Sequence, residues 1–276
     1  MKLPHARVPT ALCAAVALTL AAGLPLVAHA HKAWLLPSET VLSKEGWITV
    51  DAAVSNDLFY FNHAPMRLEN LKIFGPDGKV IEATNRNTGK YRSTFDLNLP
   101  ASGTYKLALI NSSLNATYET EKGERKRWRG TAEKLGEIPA TAKNLKVSQT
   151  QGRVETFVTS GKPNDLALKP TGEGLELVPV THPNDLFAGE PIKFKFLLDG
   201  QPAANLKVDI VPGGSRYRNK QNDTSATTDK DGVLSVTWND PGMYWIEAGV
   251  EDDKASVKQA TSRRATYVAT FEVLPP

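Results

Sequence analysis

Cysteine is almost missing from this 276-residue chain: the one copy, Cys13, lies in an apolar stretch near the N-terminus. Once that stretch is removed, the chain has no disulfide, no thiolate metal site and no cysteine nucleophile. An excess of one charge sign is missing too. Taking Lys2 and Arg7 from the 33 basic residues leaves 31 against 30 acidic ones, a net charge of about +1. A chain so nearly neutral lacks the basic excess of a nucleic-acid binder, and no nucleic-acid partner is expected. The catalytic signatures G-x-S-x-G and H-E-x-x-H do not occur. Nothing singles out a glycosidase-type pair among the acidic residues. The glycine-rich VPGGSRY (Val211 to Tyr217) has no following GK[ST] and reads as a turn, so no enzyme is expected.

The first thirty residues carry a processing signal. Lys2 and Arg7 give a positive start, Ala11 to Val27 is apolar except for Thr19, and Ala28-His29-Ala30 supplies small residues at the two positions a signal peptidase reads. Residues 1–30 are therefore expected to be a signal peptide and the protein periplasmic or secreted. A membrane anchor fits less well, because the apolar run is near the lower limit for a span and is broken by Gly23 and Pro25. Cleavage after Ala30 makes His31 the N-terminal residue of a 246-residue chain without a membrane span. Cleavage after Ala28 would instead start the chain at His29-Ala30-His31, with Leu26 a poor fit at the outer recognition position.

Long helical periodicity is also lacking. Short alternating or apolar runs recur, bounded by Gly, Pro, Asn and Asp, as β-strands and their turns do. Trp47–Val54, Leu71–Ala83, Ser93–Leu99 and Gly103–Ile110 read as strands, with PDG and PASG as turns. Further strands are expected at ATYET, KRWRG and RVETFVTSG, with a short helix or loop around Ala132–Leu135. After a polar stretch, Gly161–Gly174, six more strands follow from LELVPV to ATYVATFEVLP. The expectation is an all-β protein of two tandem immunoglobulin-like or transthyretin-like β-sandwiches, residues 31–170 and 171–276.

The segments AHKAWLLPS, GLELVPVTHPNDLFAGEPIKFKFLLDGQPAANLKVDI, TTDKDGVLSVTWNDPGMYWIEAG and ATYVATFEVLP resemble a periplasmic family. It is the domain family of unknown function often labelled a nickel-uptake-like (NikM-like) periplasmic component of cobalt or nickel transport. The second half is also similar to carboxypeptidase-regulatory or transthyretin-like sandwich modules. The resemblance implies a periplasmic setting and a part in metal uptake.

Three histidines follow residue 30: His31, His63 and His182. A free α-amine and the imidazole of an N-terminal His31 would chelate one ion together, and a further imidazole would complete a nitrogen set suited to Cu(II) or Ni(II). His63, in the aromatic segment NDLFYFNHAPM, is preferred over His182 because it shares the terminus's expected domain. Asp57 and Met66 near His63, and Asp185 near His182, are weaker ligand candidates. Arginines recur beside aromatics: Arg92, Arg127, Arg129, Arg216 and Arg218. On strands such pairs point to opposite faces, but guanidinium groups also bind carboxylates bidentately and stack on rings. These arginines are thus candidates for an anionic site taking a metal chelate, organic acid or siderophore.

The expected function is that of a binding or accessory protein in the uptake of nickel, cobalt, copper or iron, or a chelate of one of them. Its partner would be a TonB-type outer-membrane receptor or an inner-membrane metal transporter. The alternatives are an interaction module that binds a membrane receptor without metal and, more distantly, an enzyme acting on polysaccharide or peptidoglycan.

Overall fold

The computed structural model describes residues 31–276, which form one compact unit. The predicted signal segment, 1–30, lies outside the described residues. Strands run in chain order as β1 (Lys32–Pro37), β2 (Val41–Leu42), β3 (Gly46–Ser55), β4 (Ala64–Pro65), β5 (Leu71–Phe74), β6 (Val80–Ile81) and β7 (Thr84–Thr88). Next come β8 (Ser93–Leu99), β9 (Gly103–Glu119), β10 (Arg125–Gly130), β11 (Lys143–Ser160), β12 (Leu175–Pro179) and β13 (Pro191–Leu198). The last are β14 (Gln201–Pro202), β15 (Lys207–Pro212), β16 (Thr224–Thr227), β17 (Val233–Thr237), β18 (Gly242–Asp252) and β19 (Ser262–Val273). Among the described residues no helix is long and apolar enough to cross a membrane.

The protein is all-β, and its two sandwiches share their middle layer. One sheet has the order β1-β3-β8-β7 with β4 on β3, and a second has β12-β13-β14 with β17 on β13. Between them runs a ten-stranded sheet, β16-β15-β18-β19-β11-β9-β5-β6, with β10 on β9 and β2 on β11. The seam of this sheet is the parallel pairing of β11 with β19, from Ser148 opposite Ser262 to Thr156 opposite Thr270. The chain leaves the central sheet at Ser160, enters the β12-β13-β14 sheet at Leu175 and returns to the central sheet at β15. The connecting stretch is packed, with Ala167 and Leu168 buried in a 3-10 turn.

The shared layer explains why several runs are apolar on both faces. On β18, Tyr244 enters the core with Phe194, Trp238 and Phe271, and Trp245 enters the core with Trp34, Val50 and Phe95. On β19, Tyr267 and Phe271 face the first of these cores and Val268 the second. Adjacent strand residues point to opposite faces, so Tyr244-Trp245 and Tyr267-Val268-Ala269 are apolar at consecutive positions because both faces are covered.

Two strand expectations are corrected. GTYKLALI and ATYET are not separate strands but the two ends of β9, and RVETFVTSG is only the end of the 18-residue β11. The polar NSSLN between the two ends stays in register with Ser148–Gly152 of β11. It remains a strand because its neighbours are polar as well: Asn115 Nδ2 donates to Thr150 Oγ1 at 3.0 Å, and Gln149 Nε2 donates to Ser112 Oγ at 3.3 Å and Ser256 Oγ at 2.8 Å. The short helix or loop expected around Ala132–Leu135 is a 3-10 helix, Ala132–Glu137.

Candidate functional site

At one corner of the molecule β1, β3 and β4 lie side by side, with β3 in the middle: Lys32 is opposite Ser55 and Ala64 opposite Val54. His31 precedes β1 and His63 precedes β4. Their rings meet near the end of β3, stacked with centroids 3.8 Å apart and planes 14° from parallel. The structure thus brings His31 and His63 together.

The loop between β3 and β4 is built to hold this position. Trp34 Nε1 donates to Ser55 Oγ at 3.1 Å, and Ser55 Oγ donates to the Asp57 carbonyl at 2.6 Å. Asn62 closes the loop on itself. Its Oδ1 accepts from the Asn56 amide at 3.0 Å, and its Nδ2 donates to Asp57 Oδ2 at 2.8 Å. Phe59 has φ of 63°, a left-handed conformation that a bulky side chain adopts only where its surroundings impose it. Those surroundings are the Trp34 ring, 5.6 Å away edge-on, and the closely approaching backbone at Gly213. A Cβ at Gly213 would stand 2.9 Å from the Met243 carbonyl oxygen and 3.2 Å from the Phe59 ring, so only glycine fits there.

The second half of the chain completes the corner. Trp245 Nε1 donates to the Ala33 carbonyl at 2.9 Å, and Lys32 Nζ donates to Gln221 Oε1 at 3.2 Å. The Arg216 guanidinium lies 4.3 Å above the Tyr60 ring, and Tyr217, 84% exposed, meets Tyr60 edge-on at 6.4 Å. Arg92 lies 4.4 Å above the Phe61 ring, with its Nε 3.3 Å from Asp51 Oδ1. Burial raises the Asp51 carboxyl above its usual range, and the Arg92 charge opposes that shift. The loop VPGGSRY is a turn as expected, with Gly214 at φ of 74°, yet it also forms a wall of this corner.

Other sequence candidates lie elsewhere or are already engaged. His182 does not join the pair: the Asn184 amide donates to its Nδ1 at 3.2 Å, which leaves the proton on Nε2 to be donated to Thr104 Oγ1 at 2.9 Å. The chain of bonds continues from Thr104 to Thr159 Oγ1 at 3.0 Å and from Thr159 to Asn184 Oδ1 at 2.9 Å. Burial lowers the His182 value, and nearby Asp165 opposes the shift. Both ring nitrogens are thus occupied within the fold. The Asp185 amide donates to the His182 carbonyl at 3.0 Å, a turn contact. Met66 is buried in the core with Phe95 and Leu97. Arg218 braces its own loop, donating to the carbonyls of Gly213 at 2.6 Å, Pro212 at 2.9 Å and Gln221 at 3.1 Å. Arg127 and Arg129 lie on β10, apart from the corner loops. The five arginines therefore do not form one site; only Arg92 and Arg216 stack on the aromatics of the His63 loop.

Among the described residues no three His, Cys, Asp or Glu side chains form a group that would hold a metal. The His31–His63 pair is a two-imidazole set whose third nitrogen would be an α-amine on His31. Imidazole lone pairs lie in the ring plane, so two stacked rings do not aim at one point, and a side-chain rotation is needed before both bind the same ion. The donors fit a nitrogen-preferring divalent ion in kind.

The chain belongs to the family described as a domain of unknown function (DUF4198), whose model matches residues 28–252. No curated protein sequence matches it. Among solved structures it is similar to the D0–D1 domain of intimin, at 12% identity and a TM-score of 0.21, covering 86% of this chain and 96% of that one. It is also similar to the Yersinia pseudotuberculosis adhesin InvE, at 12% identity and a TM-score of 0.22, covering 88% and 60%. Fibronectin(III)-like modules of Clostridium thermocellum CbhA match at 14% identity and a TM-score of 0.20, covering 87% and 94%. At such scores these structures carry no argument about this protein; the fold rests on its own strand pairing.

Proposed function

We propose that this protein is exported, begins at His31 and binds Cu(II) or Ni(II) through the His31 amine, the His31 imidazole and the His63 imidazole. The observation that supports this reading is the stacking of those two rings at 3.8 Å, between residues 32 positions apart in sequence. In the absence of cysteine, imidazole and amine are the borderline nitrogen donors available, and they suit these ions. The pair is held by a loop with an imposed backbone conformation and is flanked by the Arg216–Tyr60 and Arg92–Phe61 stacks. Guanidinium groups so placed would receive the carboxylates of a metal chelate. The protein on this reading is a periplasmic binding or accessory component of metal uptake, not an enzyme, and passes its cargo to a membrane receptor or transporter.

Copper titration of two chains, one starting at His31 and one with an alanine ahead of it, tests the proposal. The extension carries the amine out of chelating reach, and affinity should drop by about 100-fold with the melting temperature unchanged. Because protons compete for the same nitrogens, affinity of the His31-start chain should also fall as pH falls. Equal affinities for the two chains would rule the terminal site out.

A further inference from the structure

The hairpin of β9 and β10 ends in an unusual edge strand, Arg125-Lys126-Arg127-Trp128-Arg129-Gly130. Alternation divides it. Trp128 packs with Leu114, Ala116, Ile138 and Val147 in a small third core, and its Nε1 donates to Glu137 Oε2 at 3.0 Å. Lys126, on the same face as Trp128, is paired with Glu124 at 3.0 Å. The opposite face carries Arg125, Arg127 and Arg129, all exposed. Among the described residues none of the three makes an ion pair or a side-chain hydrogen bond, whereas the cation on the other face does.

Their cross-strand neighbours leave them free. Arg127 is opposite Thr117 and Arg129 opposite Asn115, both uncharged. Arg125 is opposite Glu119, whose Oε2 already accepts from Asn144 Nδ2 at 2.8 Å. One strand further, Lys146 is opposite Thr117 and adds another exposed cation to the same face. Beyond β10 the sheet has no further strand among the described residues. Charge on an edge strand opposes indiscriminate pairing, but that role does not require three unpaired guanidiniums in one row.

We propose that the outer edge of β10 is a docking edge for an extended acidic segment of a partner protein. The segment adds as a further strand and presents Asp or Glu at every second residue to Arg125, Arg127 and Arg129. The match is geometric: side chains on one face of a strand repeat every ~6.8 Å on both sides of the pairing. Backbone hydrogen bonds to the open edge supply affinity and the arginine row supplies the sequence preference. No aromatic side chain of β10 lies on this face for base or sugar stacking, which favours a protein segment over a nucleic acid or a glycan. The proposal does not depend on the metal reading.

The test uses the chain from His31 and a capped seven-residue peptide with glutamate at alternate positions. Two control peptides are needed, one with the same residues but clustered glutamates and one N-methylated on the edge-facing amides. The alternating peptide should bind and slow amide exchange in β10, and each control should bind at least about tenfold more weakly. Arg127→Glu with Arg129→Glu should abolish binding of the glutamate peptide and accept a lysine version, with the melting temperature unchanged as the fold control. Equal binding of clustered and alternating peptides, or of heparin with the same loss in the double variant, would mean a general polyanion surface and overturn the proposal. Unchanged binding of the N-methylated peptide would overturn strand addition.

Discussion

Two histidine environments in this protein show opposite solutions to the same chemistry. His182 sits beside Thr104, Thr159 and Asn184 with both ring nitrogens bonded, its proton position dictated by the Asn184 amide. His31 and His63 have only each other's ring faces, and no hydrogen bond to either ring is formed among the described residues. The same contrast holds for arginine. Arg153 is buried against Glu155 and Glu176 at 3.2 Å each, and Glu155 also accepts from Tyr267 at 2.8 Å, whereas Arg216 lies on the exposed face of a tyrosine ring. A polar side chain whose donors and acceptors are all satisfied inside the fold holds the fold together. One positioned by its neighbours yet left with open nitrogens is available to a ligand.

Breaking the satisfied side of this contrast should cost most. Glu155→Ala leaves Arg153 buried with one carboxylate fewer and strips the Tyr267 hydroxyl of its acceptor, so urea unfolding should show a loss of about 3–5 kcal/mol. A loss under about 1 kcal/mol would show that the buried network contributes little. Trp245→Ala should cost a similar ~3–5 kcal/mol by opening the core around Trp34. It should also disturb the corner, because Trp245 anchors the Ala33 carbonyl and lies 5.8 Å from Lys32 Nζ. Tyr244→Ala should match it in stability through the other core and leave the corner's copper affinity intact.

His182→Ala should cost about 1–3 kcal/mol by leaving the Asn184 amide without its acceptor and removing the ring's bond to Thr104 Oγ1. Its pH signature follows from the lowered value of the buried ring. Below the ordinary value of 6.5 the unfolded chain takes up the proton first, so stability should fall as pH drops from 6.5 toward the folded-state value. The His182→Ala protein should lack that slope, and an identical slope in both would place the titration elsewhere. The smallest effect belongs to the open pair: His63→Ala should change stability by no more than about 0.5 kcal/mol.

Much of this arrangement was legible in the sequence. Period-two alternation and Gly, Pro and Asn turns marked many of the strands, though not the full length of β9 and β11. What alternation does not encode is which strands share a sheet. The parallel seam between β11 and β19 joins residues more than a hundred positions apart, and two sandwiches with a common middle layer read the same as two separate ones. At the site, the company of His31 and His63 was foreseeable, because His63 shares the terminus's expected domain. The arrival of Gln221, Arg216 and Tyr217 was not. Their loop reaches the corner only because β15 and β18 extend the central sheet beneath β1, a tertiary fact that alternation along single strands does not carry.

The central claim is that open histidines bind metal and satisfied ones do not. Copper(II) calorimetry on the His31-start chain, its His63→Ala variant and its His182→Ala variant tests it most directly. The account predicts one tight site in the parent chain, a loss of about 10- to 100-fold in affinity for His63→Ala, and an unchanged constant for His182→Ala. Loss of the site in His182→Ala with full retention in His63→Ala would contradict it.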